Sequence, residues 1–247
     1  MRKIIAALML PTLLLLGCGG EAPEVESPEV ESPEVETPAA VDQAPDDISE
    51  DEADVPVSEA LYDPGALNET APPIFRAKFE TTKGDFTIEV YRLWAPLGAD
   101  RFYNLVSAGY YDGNAFFRVI EDFMVQFGIN GDPEINSVWN VAPIKDDPVV
   151  ESNTRGRVTF AMGGPDTRTT QMFINFGDNN RLDPMGFATI GEVKSGMEVV
   201  DSLYAGYGEC FPRGTGPDQQ QAQLKGNEYL RESFPELDYT LRATIIQ

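Results

Sequence analysis

Histidine is absent from all 247 residues, and cysteine occurs twice, at Cys18 and Cys210. Without an imidazole there is no His general base working near neutral pH, no Ser-His-Asp arrangement and no His-ligated zinc. Cys210 has no second cysteine beside it for a metal site, and neither a metal nor another cofactor is expected. Positive charge is scarce as well: 18 Lys and Arg stand against 41 Asp and Glu, a formal net charge of −23. No basic stripe is left for nucleic acid. The glycines of "GGPDTRTT" (163–170) lack the Gly-Lys-Ser/Thr ending of a phosphate loop and do not form a dinucleotide fingerprint. No pair of carboxylates stands out from the surface charge as an acid/base couple. What remains is chemistry that needs few ionisable groups, either binding or a rearrangement without covalent change.

Long apolar runs are missing too. Arg2 and Lys3 precede a mostly apolar stretch, Ile4 to Leu16, which is shorter than the roughly 20 residues needed to span a bilayer. A short basic region, an apolar stretch of this length and a small residue at its end read as an export signal, residues 1–17. Its ending, "LLGC", resembles the bacterial lipobox. That resemblance implies cleavage before Cys18 and a lipid on that cysteine, hence a membrane anchor. Gly19 follows in place of the aspartate that holds many such proteins at the inner membrane, which points to the outer membrane facing the periplasm. With Cys18 lipidated, Cys210 is expected to be a buried, unpaired thiol.

Residues 18–70 are expected to form an acidic tether. "PEVESPEVESPEVETP" places Pro23, Pro28, Pro33 and Pro38 five residues apart, and residues 19–70 carry 17 acidic side chains and no Lys or Arg. Proline at that spacing blocks helix and the glutamates repel one another, so the expectation is an extended, disordered spacer. Most of the net charge belongs to it.

From residue 71 to 247 the pattern becomes periodic, as expected of one folded domain. "FRAKFETTKGDFTIEVY" alternates at Phe75, Ala77 and Phe79, turns at Lys83-Gly84 and resumes at Phe86, Ile88 and Val90, which is a β-hairpin with one buried face. Pro96 opens a helix and Gly109 closes it. Short strands follow in "GRVTFAM", "QMFINFG", "FATIGEV" and "LDYTLRATIIQ", with a second helix in "SGMEVVDSLYAG". Many short strands with two short helices predict a mainly β fold, a closed antiparallel barrel. The Gly/Pro/Gln-rich insertion "YGECFPRGTGPDQQQAQLKG" precedes the last strand; its glutamines are compatible with the start of a further short helix, and it receives no function.

One stretch resists a purely structural reading. "FFRVIEDFMVQFG" (116–128) sets Arg118 in an apolar strand, where a cation without a partner is costly to bury. Together with "GRVTFAMGGPDTRTTQMFINF" and "LDPMGFATIGEVKSGMEVVDSL", in this order and near this spacing, the stretch resembles the cyclophilin family of peptidyl-prolyl cis-trans isomerases. The resemblance runs from Phe75 to the last strand. It implies an eight-stranded barrel capped by two helices, a monomer, proline-containing polypeptide substrates, and catalysis of rotation about X–Pro bonds. Such rotation meets a barrier of about 20 kcal/mol and needs no covalent intermediate, which suits a chain without histidine. An alternative is a proline-peptide binding module or holdase with little turnover.

By position in these motifs, Arg118 matches the catalytic arginine and Gln126 the glutamine that orients it. Phe123, Met124, Phe173, Leu182 and Phe187 match the apolar walls of the proline pocket. Ala161, Met162 and Gly163 fall on the segment that pairs with substrate backbone, and Gln171 lines the neighbouring pocket. Three positions depart from the family pattern. Met162 stands where many relatives have asparagine, Arg181 where well-studied eukaryotic members have tryptophan, and Phe187 where those members have histidine. Arg181 argues against tight cyclosporin binding. Arg118 is thus read as a cation facing a groove and held by Gln126, rather than as a buried charge paired with a carboxylate.

Overall fold

The computed structural model describes residues 58–246. The expected signal segment, Cys18 and the proline-glutamate repeat lie outside the described residues. Among the described residues no helix is long and apolar enough to cross a membrane.

Eight strands form one antiparallel sheet in the order β3-β4-β6-β5-β7-β2-β1-β8. The expected hairpin is β1 (Ile74–Thr81) and β2 (Gly84–Tyr91), with Phe79 opposite Phe86. Its alternation is obeyed: Phe75, Ala77, Phe79, Phe86, Ile88 and Val90 are all buried. β3 (Arg118–Ile120) and β4 (Met124–Phe127) follow, then β5 (Arg157–Phe160), β6 (Met172–Asn175), β7 (Thr189–Ser195) and β8 (Thr240–Ile246). The sheet curls around a phenylalanine-rich core in which Phe79 stacks on Phe86 at 5.0 Å and meets Phe127 edge-on at 5.8 Å.

The barrel is not closed, contrary to the expectation. The edge strands β3 and β8 share no ladder, and the fold is a curled half-barrel. The segment leading into β3 meets the chain at the start of β8, through the bridge Ala115–Tyr239, the bond from the Phe116 N–H to the Asp238 carbonyl at 2.9 Å, and the bonds from the Gly113 N–H to the Thr240 carbonyl at 2.8 Å and from the Thr240 N–H to the Asn114 carbonyl at 2.9 Å. Beyond that point Phe117 is buried in a second cluster with Cys210, Leu230 and Leu237, so β3 is seated against the insertion before β8.

Two helices lie where expected, α1 (Pro96–Ser107) and α3 (Met197–Asp201). Two more are added to the two capping helices: α2 (Pro133–Trp139), which was not expected, and α4 (Gln219–Ser233), which starts at the glutamines of the insertion and runs longer than the short helix considered there. Both start on an aspartate cap: Asp132 accepts from the Glu134 N–H at 2.7 Å, and Asp218 from the Gln220 N–H at 2.8 Å. α4 breaks at Gly226 (φ 59°, ψ −143°), where a Cβ would collide with the Gly131 carbonyl. That break lets the Asn227 N–H reach the same carbonyl at 3.0 Å and ties α4 to the start of α2.

The folded unit also begins before residue 71. A 3-10 turn, Glu59–Tyr62, buries Leu61, whose carbonyl accepts from Trp139 Nε1 at 2.8 Å. Asn104 then clamps Glu69 through its N–H and its carbonyl. Residues 58–70 were expected in the tether because their polar composition masks these few anchoring contacts.

Candidate active site

The period of two along β3 and β4 explains how an arginine can sit in an apolar strand. Val119, Val125 and Phe127 turn into the core, whereas Arg118, Met124 and Gln126 turn to the opposite face. Arg118 lies directly across from Gln126, and Gln126 across from Phe173 of β6. Arg118 Nη1 donates to Gln126 Oε1 at 3.0 Å, and Gln126 Nε2 donates to Gln171 Oε1 at 2.8 Å. Each amide oxygen accepts from the previous donor, so the chain of side chains has a fixed direction.

Beside this chain lies an apolar hollow. Met124, Phe173 and Leu182 are buried in it, and Phe123, Ala161 and Phe187 pack around them. The rings of Phe173 and Phe187 meet edge-to-face at 5.8 Å. Leu182 belongs to a 3-10 turn, Asn180–Met185, that is held from behind. Buried Asn153 donates through Nδ2 to the Phe187 carbonyl at 2.8 Å and to Asp183 at 2.9 Å, and Thr159 Oγ1 donates to Asn153 Oδ1 at 2.8 Å. Burial raises the Asp183 carboxyl, but hydrogen bonds from Ser152 and Asn153 outweigh it and hold the group below the usual carboxylate range. The pocket wall is therefore fixed by polar contacts that do not themselves enter the cavity.

The cavity has a volume of about 330 Å³. It brings together every residue that the motifs selected: Arg118, Gln126, Phe123, Met124, Ala161, Met162, Gly163, Gln171, Phe173, Leu182 and Phe187. The Ala161–Gly163 segment is anchored at both ends, by the Ala161 N–H to the Gln171 carbonyl at 2.9 Å and the Gly163 N–H to Thr167 Oγ1 at 3.0 Å. Arg181 lies over the ring of Phe123 at 4.7 Å and is tied to Asn179 at 3.0 Å.

Residues 76–219 match the family described as cyclophilin type peptidyl-prolyl cis-trans isomerase/CLD. The chain belongs to the cyclophilin family. It is 37% identical over 132 residues to a peptidyl-prolyl cis-trans isomerase of Acinetobacter baylyi, covering 51% of this chain and 70% of that one. It is 39% identical over 134 residues to peptidyl-prolyl cis-trans isomerase cypE of Dictyostelium discoideum, covering 51% and 82%. The human peptidyl-prolyl cis-trans isomerase-like 3 is 36% identical over 130 residues, covering 50% and 78%. A crystal structure of a Cryptosporidium parvum cyclophilin type isomerase shares the fold, with a TM-score of 0.53 and 19% identity over 70% of this chain and 98% of that one. This cyclophilin is a peptidyl-prolyl cis-trans isomerase.

The cyclophilin groove also holds residues that the sequence did not reveal. Glu209, from the insertion before β8, grips Arg118 with both oxygens: Nε to Oε1 at 2.7 Å and Nη2 to Oε2 at 2.8 Å. Arg118 is thus engaged in an ion pair after all, which corrects the reading of a cation held by Gln126 alone. Its side chain is 14% exposed, and the carboxylate satisfies two N–H groups, Nε and one on Nη2, that Gln126 does not hold. The hydrogen bond from Arg118 in turn holds the Glu209 carboxyl below its ordinary value. A strand arginine amid phenylalanines signals that some acceptor must exist, but its position 91 residues away lies in a loop without pattern. Thr167, Thr169, Arg213 and Gln219 also line the cavity. Cys210 is a free thiol and buried as expected, and burial pushes its pKa up to about 11.

Proposed function

We propose that this isomerase acts on X–Pro bonds of exported polypeptides in the bacterial cell envelope, as a monomer anchored by lipid at Cys18. The bound proline ring occupies the hollow of Phe123, Met124, Phe173, Leu182 and Phe187. The Ala161–Gly163 segment pairs with the substrate backbone, and Gln171 borders the adjoining pocket. Arg118 directs its remaining N–H groups at the prolyl nitrogen. As the bond twists, that nitrogen loses amide resonance and its lone pair localises, so a guanidinium beside it binds the twisted state better than the planar one. The apolar surroundings lower the effective dielectric and strengthen the contact, and the fixed donors need no reorganisation.

The observation that carries this reading is the chain Arg118–Gln126–Gln171 beside an apolar hollow of about 330 Å³. The export signal and the "LLGC" ending support the location. Exchange spectroscopy on an Ala-Pro peptide tests the activity, with cis-trans interconversion in seconds or less expected at catalytic enzyme concentration. Binding of the peptide with unaccelerated exchange would identify a proline-binding module instead. Metabolic labelling with a radioactive fatty acid tests the anchor: the wild type takes up label and Cys18→Ala does not, whereas an unlabelled wild type removes the anchor from the account.

A further inference from the structure

An arginine offers five N–H donors in a rigid fork, and where its charge acts depends on which of them are held. Gln126 alone would hold one of the five, at Nη1, and leave the guanidinium free to pivot about that contact. Glu209 takes the side edge formed by Nε and Nη2 at 2.7 and 2.8 Å, so three donors are held by two residues on opposite sides. The second hydrogen on Nη1 meets only the weak sulfur acceptor Met124 Sδ at 3.8 Å, a cavity-lining contact that a ligand can replace, and one on Nη2 remains available to a ligand in the cavity.

The carboxylate is itself built in. Glu209 Oε1 also accepts the Cys210 N–H at 2.9 Å, and the Glu209 carbonyl accepts the Gly216 N–H at 2.9 Å. The loop folds so tightly over Glu209 that a Cβ on Gly214 would lie 2.2 Å from its carbonyl oxygen. Cys210 is buried beside Phe117, the residue preceding Arg118, so one apolar cluster seats both the glutamate loop and the start of β3. Arg213, at the rim, approaches the same carboxylate at 4.0 Å and lines the cavity.

We propose that Glu209 is a positioning residue for the isomerase reaction, and that the insertion before β8 holds the Arg118 fork edge-on so that its two outer donors face the prolyl nitrogen. This rests on the isomerase reading and deepens it. Glu209 acts through Arg118 and touches no substrate atom. It removes the rotational freedom that would otherwise have to be lost at the moment of reaction.

The test compares the full chain with Glu209→Gln and Glu209→Asp, using an Ala-Pro peptide and the Arg118 Nε–H resonance, identified by its loss in Arg118→Lys. Glu209→Gln keeps the shape and removes the charge; Glu209→Asp keeps the charge but is one methylene short. The expectation is a five- to twentyfold fall in kcat for Glu209→Gln with KM within twofold. A smaller fall is expected for Glu209→Asp, and in both variants the Nε–H exchanges faster with water. Unchanged kcat with a released Nε–H would show the ion pair to be structural only, and a raised kcat would show it to restrain the arginine; either overturns the proposal. Should Glu209→Gln fail to fold, a kcat in Glu209→Asp equal to that of the wild type overturns it just the same. An inactive wild type would instead sink the isomerase reading itself, a result distinguishable from the other two.

Discussion

Arg118 illustrates what a single residue can and cannot disclose. Its place in an alternating strand already sets its face, since neighbours on either side must enter the core, and Gln126 eight positions on falls on the same face across a tight hairpin. Both assignments were legible because they depend on local periodicity. Glu209 was not legible, because an ion pair closing across a long loop leaves no spacing rule behind. The link from Gln126 to Gln171 is the part of the site most easily tested alone. Gln126→Leu keeps the volume near that of the glutamine, removes the amide acceptor of Arg118 Nη1 and takes the donor from the half-buried Gln171. Its kcat/KM should fall about tenfold, the equivalent of roughly 1.4 kcal/mol, while the thermal midpoint moves little. An exchange assay with a thermal melt on the same sample measures both, and an unchanged kcat/KM would mean that Glu209 alone suffices to hold the arginine.

At the scale of elements, the β1–β2 hairpin, α1 and α3 follow from periodicity and their turn residues, while α2 escaped it and α4 was legible only as a short helix that its glutamines could begin. α2 is only seven residues long, and α4 has a polar, glutamine-rich sequence broken by Gly226, so neither shows a clean apolar stripe. Their aspartate caps were the available signal: "GDPE" and "GPDQQ" each place Asp at the N-cap, the first followed by Pro at the first helical position. The cap matters for the site because α4 buries Ala222 and Leu230 in the cluster that also holds Cys210 and Phe117. Asp218→Ala should cost about 1 kcal/mol in urea unfolding. Because the cap lies at the insertion end of that cluster, the Glu209–Arg118 contact should loosen with it. A loss below about 0.3 kcal/mol would show that packing alone sets the start of α4.

The open sheet is a property of the whole molecule. The resemblance to a barrel family was sound for strand number and antiparallel order, yet closure depends on whether β3 and β8 pair, and that is decided by what else competes for β3. Here the insertion does, through Phe117 and Cys210. The outer face of the sheet carries a charge network that makes acid stability another global property. Glu89 accepts from the Tyr91 hydroxyl, pairs with Lys194 Nζ at 2.9 Å and with Arg76 Nη2 at 2.6 Å, and its pKa falls to about 2. A carboxyl whose folded value lies below its unfolded value contributes stability above the unfolded pKa of about 4.5 and loses it as pH drops towards 2. Glu89→Gln should therefore be less stable than the wild type at pH 6, with the gap closing between pH 4.5 and 2 in a series of urea melts. A constant gap over that range would show that Glu89 acts by packing and not by charge.

The central claim is that a single guanidinium in an apolar groove turns binding of proline into rotation about its peptide bond. Arg118→Ala separates the two, because the apolar hollow survives and the donor does not. The most direct measurement is two-dimensional exchange spectroscopy of an Ala-Pro peptide at saturating concentrations of the wild type and of Arg118→Ala. The account predicts that the variant stays folded, binds the peptide within about fivefold of the wild type, and exchanges it on the enzyme about 100-fold more slowly, as expected when one preorganised donor is removed. On-enzyme exchange at the wild-type rate in Arg118→Ala would contradict it.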